Sequence, residues 1–179
     1  SSVAAALLQQ SGHKVVGVFM KNWSRDVGGM KCPWREDLAS ARSVAAHLGI
    51  ELKVYDFEKE YFEAVATYMI DTYRKGLTPN PDIMCNAEIK FKVFAERCFA
   101  EGADMIATGH YAQVSHDPLR LKRAVDASKD QTYFLYRAPA KNLERTLFPL
   151  GNLQKSKVRE LAEELGLPTA KRPDSQGLC

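Results

Sequence analysis

The sequence contains no apolar run near the ~20 residues that a helical membrane span requires; its longest, residues 3–8 and 15–20, fall far short. A helical membrane protein is therefore excluded. No basic residue precedes Lys14 and the chain opens on Ser1, so the charged beginning of a secretory signal is missing and the first residues read as cut from something longer. No C-x-x-C pair occurs: Cys32, Cys85, Cys98 and Cys179 stand 53, 13 and 81 residues apart. That spacing argues against a zinc knuckle or a small disulfide scaffold and makes a reducing, cytoplasmic compartment the expectation. The four histidines, His13, His47, His110 and His116, are equally scattered, so no metal cluster is expected. Internal repeats and low-complexity tracts are absent as well.

What is present is an ordinary globular composition, 179 residues of which 45% are hydrophobic, a length that suits one domain around a single core. The formal charge of +3 is unevenly placed. Residues 120–172 hold 12 Lys+Arg against 6 Asp+Glu, whereas the rest hold 13 against 16. A set of solvated helix faces explains such an excess, and so does a surface that meets phosphates.

Along the chain, residues 3–8 followed by Gly12 read as the end of a helix, and residues 14–20 as a buried strand. Residues 37–48 place Leu38, Ala41, Ala45 and Leu48 at helical spacing before Gly49, and residues 51–57 resume a strand. A third helix over 58–75 carries Phe62, Val65, Met69, Ile70 and Tyr73 on one stripe, until Gly76, Pro79 and Pro81 impose a loop. Residues 86–101, with Phe91, Phe94 and Cys98 on one face, lead to a short strand over 105–108. Helix alternating with strand predicts an α/β fold, a parallel sheet with helices on both faces. Beyond it, residues 111–115 and 120–125 pattern as a hairpin around Asp117-Pro118, and 153–165 as an amphipathic helix closed by Gly166.

Ligands of open parallel sheets bind beyond the carboxyl ends of the strands, which selects Met20-Lys21-Asn22-Trp23, the segment after Phe57, and Thr108-Gly109-His110-Tyr111. Gly109 admits close backbone approach and Met20 offers a soft apolar wall to a planar base, so the two are expected to line one crevice. The stretch Thr78-Pro79-Asn80-Pro81-Asp82-Ile83-Met84-Cys85-Asn86 is more specific. Two prolines stiffen it and place Cys85 at or beside a helix start, where the dipole and unpaired amides favour the thiolate. Cys98 lies on an apolar face and reads as core. Cys32 sits in a Gly28-Gly29 loop and reads as idle, while Cys179 ends a polar, turn-rich stretch.

Five segments occur in order: Gly17-Val18-Phe19-Met20-Lys21-Asn22-Trp23; the Thr78 to Asn86 stretch with Ile89-Lys90-Phe91; Ala107-Thr108-Gly109-His110-Tyr111; Lys129-Asp130-Gln131-Thr132-Tyr133-Phe134-Leu135; and Asp174-Ser175-Gln176-Gly177-Leu178-Cys179. Together they strongly resemble the tRNA-specific 2-thiouridylases, sulfur transferases of the ATP-pyrophosphatase type, over essentially the whole chain. The resemblance implies an adenine nucleotide alpha hydrolase-like, Rossmann-like fold. It also implies that ATP, with Mg2+, adenylates the C2 oxygen of a wobble uridine and that sulfur then displaces AMP. In those terms Cys179 carries a persulfide received from a sulfur-donor protein, Cys85 resolves it, and Asp82 is the acid/base residue. Ser1, Met20 and Gly109 contact the nucleotide, Asn80, Pro81 and Asp82 meet the target base, and Lys129, Asp130 and Gln131 meet the tRNA.

The same resemblance divides the chain into a nucleotide-binding α/β part over residues 1–115 and a basic, tRNA-facing extension over 116–179. The family's Ser-Gly-Gly-x-Asp-Ser phosphate loop would end at Ser1, so the ATP site is expected to be incomplete here and this chain alone inactive. Two other readings stand beside it: a different ATP-pyrophosphatase that adenylates a small substrate and needs neither Cys85 nor Cys179, and a non-catalytic nucleotide-binding module.

Overall fold

The computed structural model describes residues 1–26 and 31–173. Helix α1 (Ser2–Gln10) buries Val3, Ala4 and Ala6, and strand β1 (Val16–Lys21) follows. Helix α2 (Trp34–Leu48) buries Leu38 and Ala45 from the expected stripe. It stops at Gly49, whose φ of 65° is the left-handed turn that a side chain would resist. Strand β2 (Glu51–Asp56) then returns beside β1 in parallel, Val16 opposite Glu51 and Lys21 opposite Asp56.

Two helical segments depart from the 3.6-residue period. Helices α3 (Glu58–Tyr61) and α4 (Thr67–Arg74) are joined by a π turn over Phe62–Ala66, and α5 (Pro81–Met84) passes into a π-helix over Cys85–Phe94 before α6 (Ala95–Ala100). A wider turn rotates the residues that follow it. Tyr61, ahead of the turn, and Val65 within it are buried, whereas Phe62, Ile70 and Tyr73, expected on the inward stripe, are 44%, 44% and 61% exposed. In the second segment Asn86, Ala87, Ile89, Phe91 and Phe94 all become buried.

Strand β3 (Ile106–Ala107) pairs in parallel with β6 (Thr146–Leu147), and β4 (Ala112–His116) pairs antiparallel with β5 (Leu119–Arg123). The hairpin turns at Asp117-Pro118 as the sequence suggested. The expected parallel pairing is thus present as two pairs, β1 with β2 and β3 with β6. Strand β6 was not foreseen; it lies in the carboxyl-terminal part of the chain and completes a pair with the amino-terminal part. A 3-10 helix (Thr132–Leu135), α7 (Ala140–Leu143) and α8 (Lys155–Glu164) complete the elements.

The buried side chains form two clusters. The larger gathers Phe57, Val65, Ile89, Phe91, Leu135 and Phe148 around β1 to β3 and the π-helix. The smaller joins α1 to α8 through Val3, Ala4, Leu150, Val158, Ala162 and Leu167. Burying a side chain of this size contributes about 1.5–3 kcal/mol, so the clusters fix the loops at the strand ends. Among the described residues no helix is long and apolar enough to cross a membrane.

Candidate active site

A cavity of about 1270 Å³ opens where α1, β1, α2, α4 and α8 converge. Its apolar wall includes Phe19, Val44, Met69, Ile70 and Tyr73, which explains why the stripe on α4 is not packed into the core. Cationic side chains also line it: Arg25, Lys31, Lys155, Arg159 and Arg172. Arg172 pairs with Asp37, and Arg159 donates to the carbonyls of Ala170 and Arg172. Ser1 and Ser2 bring the start of α1 to the same space. An apolar slot rimmed by cations and a helix start matches the two halves of a nucleotide, a planar base and anionic phosphates.

Magnesium is less well provided for. Asp37 is the single carboxylate among the described lining residues and is already held by Arg172. No group of three or more potential ligands occurs among the described residues. No step below is routed through a metal ion.

Of the expected nucleotide contacts, Ser1 and Gly109 line this cavity, and a Cβ on Gly109 would stand 2.7 Å from the Ser1 nitrogen. Met20 does not line it. Successive side chains of a strand alternate in direction, and Phe19 is the one that faces the cavity while Met20 packs against the larger core cluster. Cys32, expected to be idle, is also in the lining, its thiol donating to the Trp23 carbonyl at 3.5 Å.

The helix bearing Cys85 begins earlier than the sequence suggested. Asn80 is its N-cap: the side-chain oxygen accepts from the Ile83 amide at 3.2 Å, and Pro81 takes the first helical position. Asp82 is exposed in the first turn, and Cys85, three residues on, shares its face. The thiol lies beyond that turn, so the dipole that was to favour the thiolate acts weakly on it. Burial instead pushes the Cys85 thiol above its ordinary value; Lys90 pulls it down and the Asp82 charge raises it further. Cys98 is buried as expected, with its thiol pushed up to about 11 by burial.

The cavity and this helix meet at the Thr108 to Tyr111 loop. Gly109 faces the cavity, and His110 packs between Phe91 and Phe148 with ring centroids 5.8 and 6.2 Å away. Burial, aided by the Lys90 charge, holds His110 down to about 3, and the Thr108 hydroxyl lies 2.8 Å from its Nδ1. The imidazole is therefore neutral near pH 7 and serves as a packed hydrogen-bonding group. Lys90 acts on both His110 and Cys85, and Asn86 donates from Nδ2 to the Phe134 carbonyl at 3.1 Å. Both lie in segments that the sequence marks, but the sequence assigns neither a role, because their roles depend on what the π-helix turns inward.

The Lys129 to Gln131 segment divides. Lys129 is exposed, but Asp130 accepts from the Ala124 amide at 2.8 Å and from the Thr132 hydroxyl at 2.7 Å. Gln131 and Tyr111 exchange two bonds, the Tyr111 amide to Oε1 at 2.9 Å and the Gln131 amide to the Tyr111 carbonyl at 2.8 Å. Asp130 and Gln131 thus tie this segment to the loop that carries Gly109. Cys179 and the Asp174 to Leu178 stretch lie outside the described residues.

The Cys85 environment sets one expected result. The pH midpoint for alkylation of Cys85 by iodoacetamide, followed by mass spectrometry of its peptide, lies above the ordinary thiol value of 9.0. Removing the Lys90 charge (Lys90→Met) moves it higher, and Asp82→Asn moves it lower. A midpoint below 9.0 in the parent contradicts the burial argument.

Compared with known proteins, residues 1–179 match the model of the tRNA methyl transferase HUP domain family. The chain is 50% identical over 181 residues to the tRNA-specific 2-thiouridylase MnmA of Methylobacillus flagellatus, covering 100% of this chain and 50% of that protein. Similar relatives are the tRNA-specific 2-thiouridylases MnmA of Alcanivorax borkumensis, 51% identical over 180 residues with 50% of that protein covered, and of Levilactobacillus brevis, 50% over 182 residues with 48% covered; both matches take in 100% of this chain. The chain spans about half the length of the curated relatives it matches.

Proposed function

The chain belongs to the tRNA methyl transferase HUP domain family, and from that premise we propose that it supplies the catalytic domain for ATP-dependent 2-thiolation of a tRNA wobble uridine. One observation carries the reading: the loop whose Gly109 lines the nucleotide-shaped cavity also packs, through His110, on the helix that presents Asp82 and Cys85. A base held over Asn80, Pro81 and Asp82 would meet both.

Bound ATP would supply an adenylyl group to the uridine C2 oxygen, with pyrophosphate leaving from the α-phosphate, and so turn a poor leaving group into a phosphate ester. The residues of this chain do the rest. Phe19, Met69 and Ile70 hold the apolar part of the nucleotide, and Arg25, Lys31 and Lys155 receive its negative charge. Asp82, exposed beside the base, moves the proton. The outer sulfur of a Cys179 persulfide attacks C2 and AMP leaves; the Cys85 thiolate then attacks the Cys179 sulfur, forming a disulfide and releasing the 2-thio base. Because burial raises the Cys85 thiol, the attacking thiolate is the minor form near neutral pH.

The test is mass analysis of tRNA after incubation of the full-length protein with ATP and a persulfide donor. A gain of one sulfur in place of one oxygen at the wobble uridine, dependent on ATP, supports the reading; unchanged tRNA overturns it. Exposed Lys129 supplies a second expected result. Lys129→Ala weakens tRNA binding across sequences and lowers the salt slope by about 1, with ATP affinity unchanged. An unaltered slope and affinity would remove Lys129 from the interface.

A further inference from the structure

Tyr133 and Tyr136 are 65% and 64% exposed, among the most exposed large apolar side chains described. They stand three residues apart on and just after the 3-10 helix, a geometry in which side chains at that spacing eclipse. Their ring centroids are 6.1 Å apart with planes inclined by 40°. The core does not need them: Leu135 is fully buried and anchors the helix, while Phe134 meets Tyr133 edge-on at 5.5 Å. Two aromatic faces are thus left open side by side.

Their position is held from two directions. The Asn86 amide donates to the Phe134 carbonyl at 3.1 Å, and Arg137 Nη1 lies 3.3 Å from Met84 Sδ, so the ring pair is fixed to the residues that flank Cys85. On the other side the Thr132 hydroxyl, which donates to Asp130, lies 3.2 Å from the Lys122 carbonyl, so β5 and its exposed Lys122 and Arg123 run alongside. Lys129 and Arg137 are exposed in the same segment. The neighbouring carboxylates, Asp126 and Asp130, are turned to the amides of Lys155 and Ala124. Lys129 and Arg123 also feel the Asp126 and Asp130 charges, yet cations remain in excess here, and flat aromatic faces amid such an excess suit one occupant: bases of a single strand whose phosphates run along the cations.

We propose that Tyr133 and Tyr136 form a stacking platform for two unpaired bases of the RNA substrate, next to the target uridine. This rests on the tRNA reading given above. It assigns sequence-tolerant affinity to the tyrosines and phosphate neutralisation to the surrounding cations. It also places the flanking bases so that the target uridine is directed toward Asp82 and Cys85.

The experiment measures binding of a fluorescent tRNA transcript to the full-length protein, as parent, Tyr133→Ala, Tyr136→Ala, the double alanine variant and the double phenylalanine variant. Loss of one ring weakens binding at least about fivefold and loss of both more than about twentyfold. The salt slope is unchanged, and the phenylalanine variant binds as the parent. With a transcript carrying abasic residues on both sides of the target uridine, parent and double alanine variant bind alike. ATP affinity and thermal midpoint stay at parental values, which separates stacking from a structural role. A parent that binds no tRNA overturns the tRNA reading itself. A parent that binds while the double alanine variant binds equally well overturns the platform alone. So does a double variant whose only change is loss of self-association in sedimentation, since that assigns the rings to a second copy of the chain.

Discussion

Cys85→Ser in the full-length protein is expected to lower tRNA thiolation by at least about three orders of magnitude, the scale on which loss of an activated nucleophile is felt, while ATP-dependent adenylation of the uridine persists. Cys179→Ser is expected to do the same. Both follow from the proposed order of steps, in which activation of the C2 oxygen involves neither sulfur. Serine preserves the size of Cys85 and its place after the capped turn of Asn80 and Pro81, so a lost activity is chemical and not a packing failure. Cys98→Ala, deep in the larger cluster and with its thiol pushed up to about 11, should retain most activity at some expense in stability. Single-turnover thiolation should also accelerate as pH rises, because burial keeps Cys85 protonated and only the thiolate attacks. The measurement is mass analysis of thiolated tRNA with pyrophosphate release followed in parallel. A Cys85→Ser protein that thiolates normally while releasing pyrophosphate would show that sulfur reaches the base without this residue.

Several of these features were legible in the residues and several were not, for reasons that differ. Helix α2 carries its apolar positions at a regular spacing and ends in Gly49, so period and stop signal agree and the helix reads cleanly. The π turn at Phe62–Ala66 breaks that logic: a stripe drawn at 3.6 residues puts Ile70 and Tyr73 in the core, yet they face the cavity. Strand β6 is two residues long, too short to carry any alternation. The apolar period after Cys85 and the two prolines before it suggest a helix that starts at or beside this residue. Asn80 and Pro81 are the real start signals, and they move Cys85 from the dipole into a half-buried setting that raises its pKa. Cys32 illustrates the limit of local reading: nothing in its glycine-rich surroundings tells that the fold returns it to the cavity wall.

Gly151 is the clearest case of a constraint hidden from the sequence, and its replacement by alanine is expected to cost about 3 kcal/mol or more in stability. A Cβ there would fall onto the carbonyl oxygen of Ala112, with the Ala112 carbonyl carbon at 2.8 Å and Gln113 Cγ at 2.9 Å. Neither partner can give way. Ala112 is fully buried and paired with Arg123 in the β4–β5 hairpin, and Gly151 is itself held by its amide to Phe148 at 3.1 Å and by its carbonyl to the Val125 amide at 2.9 Å. Gly12 makes the control, since its φ of 84° disfavours a side chain but nothing lies within 4 Å. Gly12→Ala should therefore cost only about 1–2 kcal/mol, the penalty of a left-handed backbone. The effect of Gly151→Ala extends to the cavity proposed to hold the nucleotide. Leu150, its neighbour, is buried at 2%, lines that cavity and stands 3.7 Å from where a Cβ on Gly109 would be. Displacing residue 151 shifts Leu150 and with it the wall behind Gly109, so ATP affinity falls together with stability. Chemical denaturation and ATP titration of the two alanine variants check this, and a Gly151→Ala protein that unfolds at the parental midpoint and binds ATP as the parent does would show that β4 yields where its pairing says it should not.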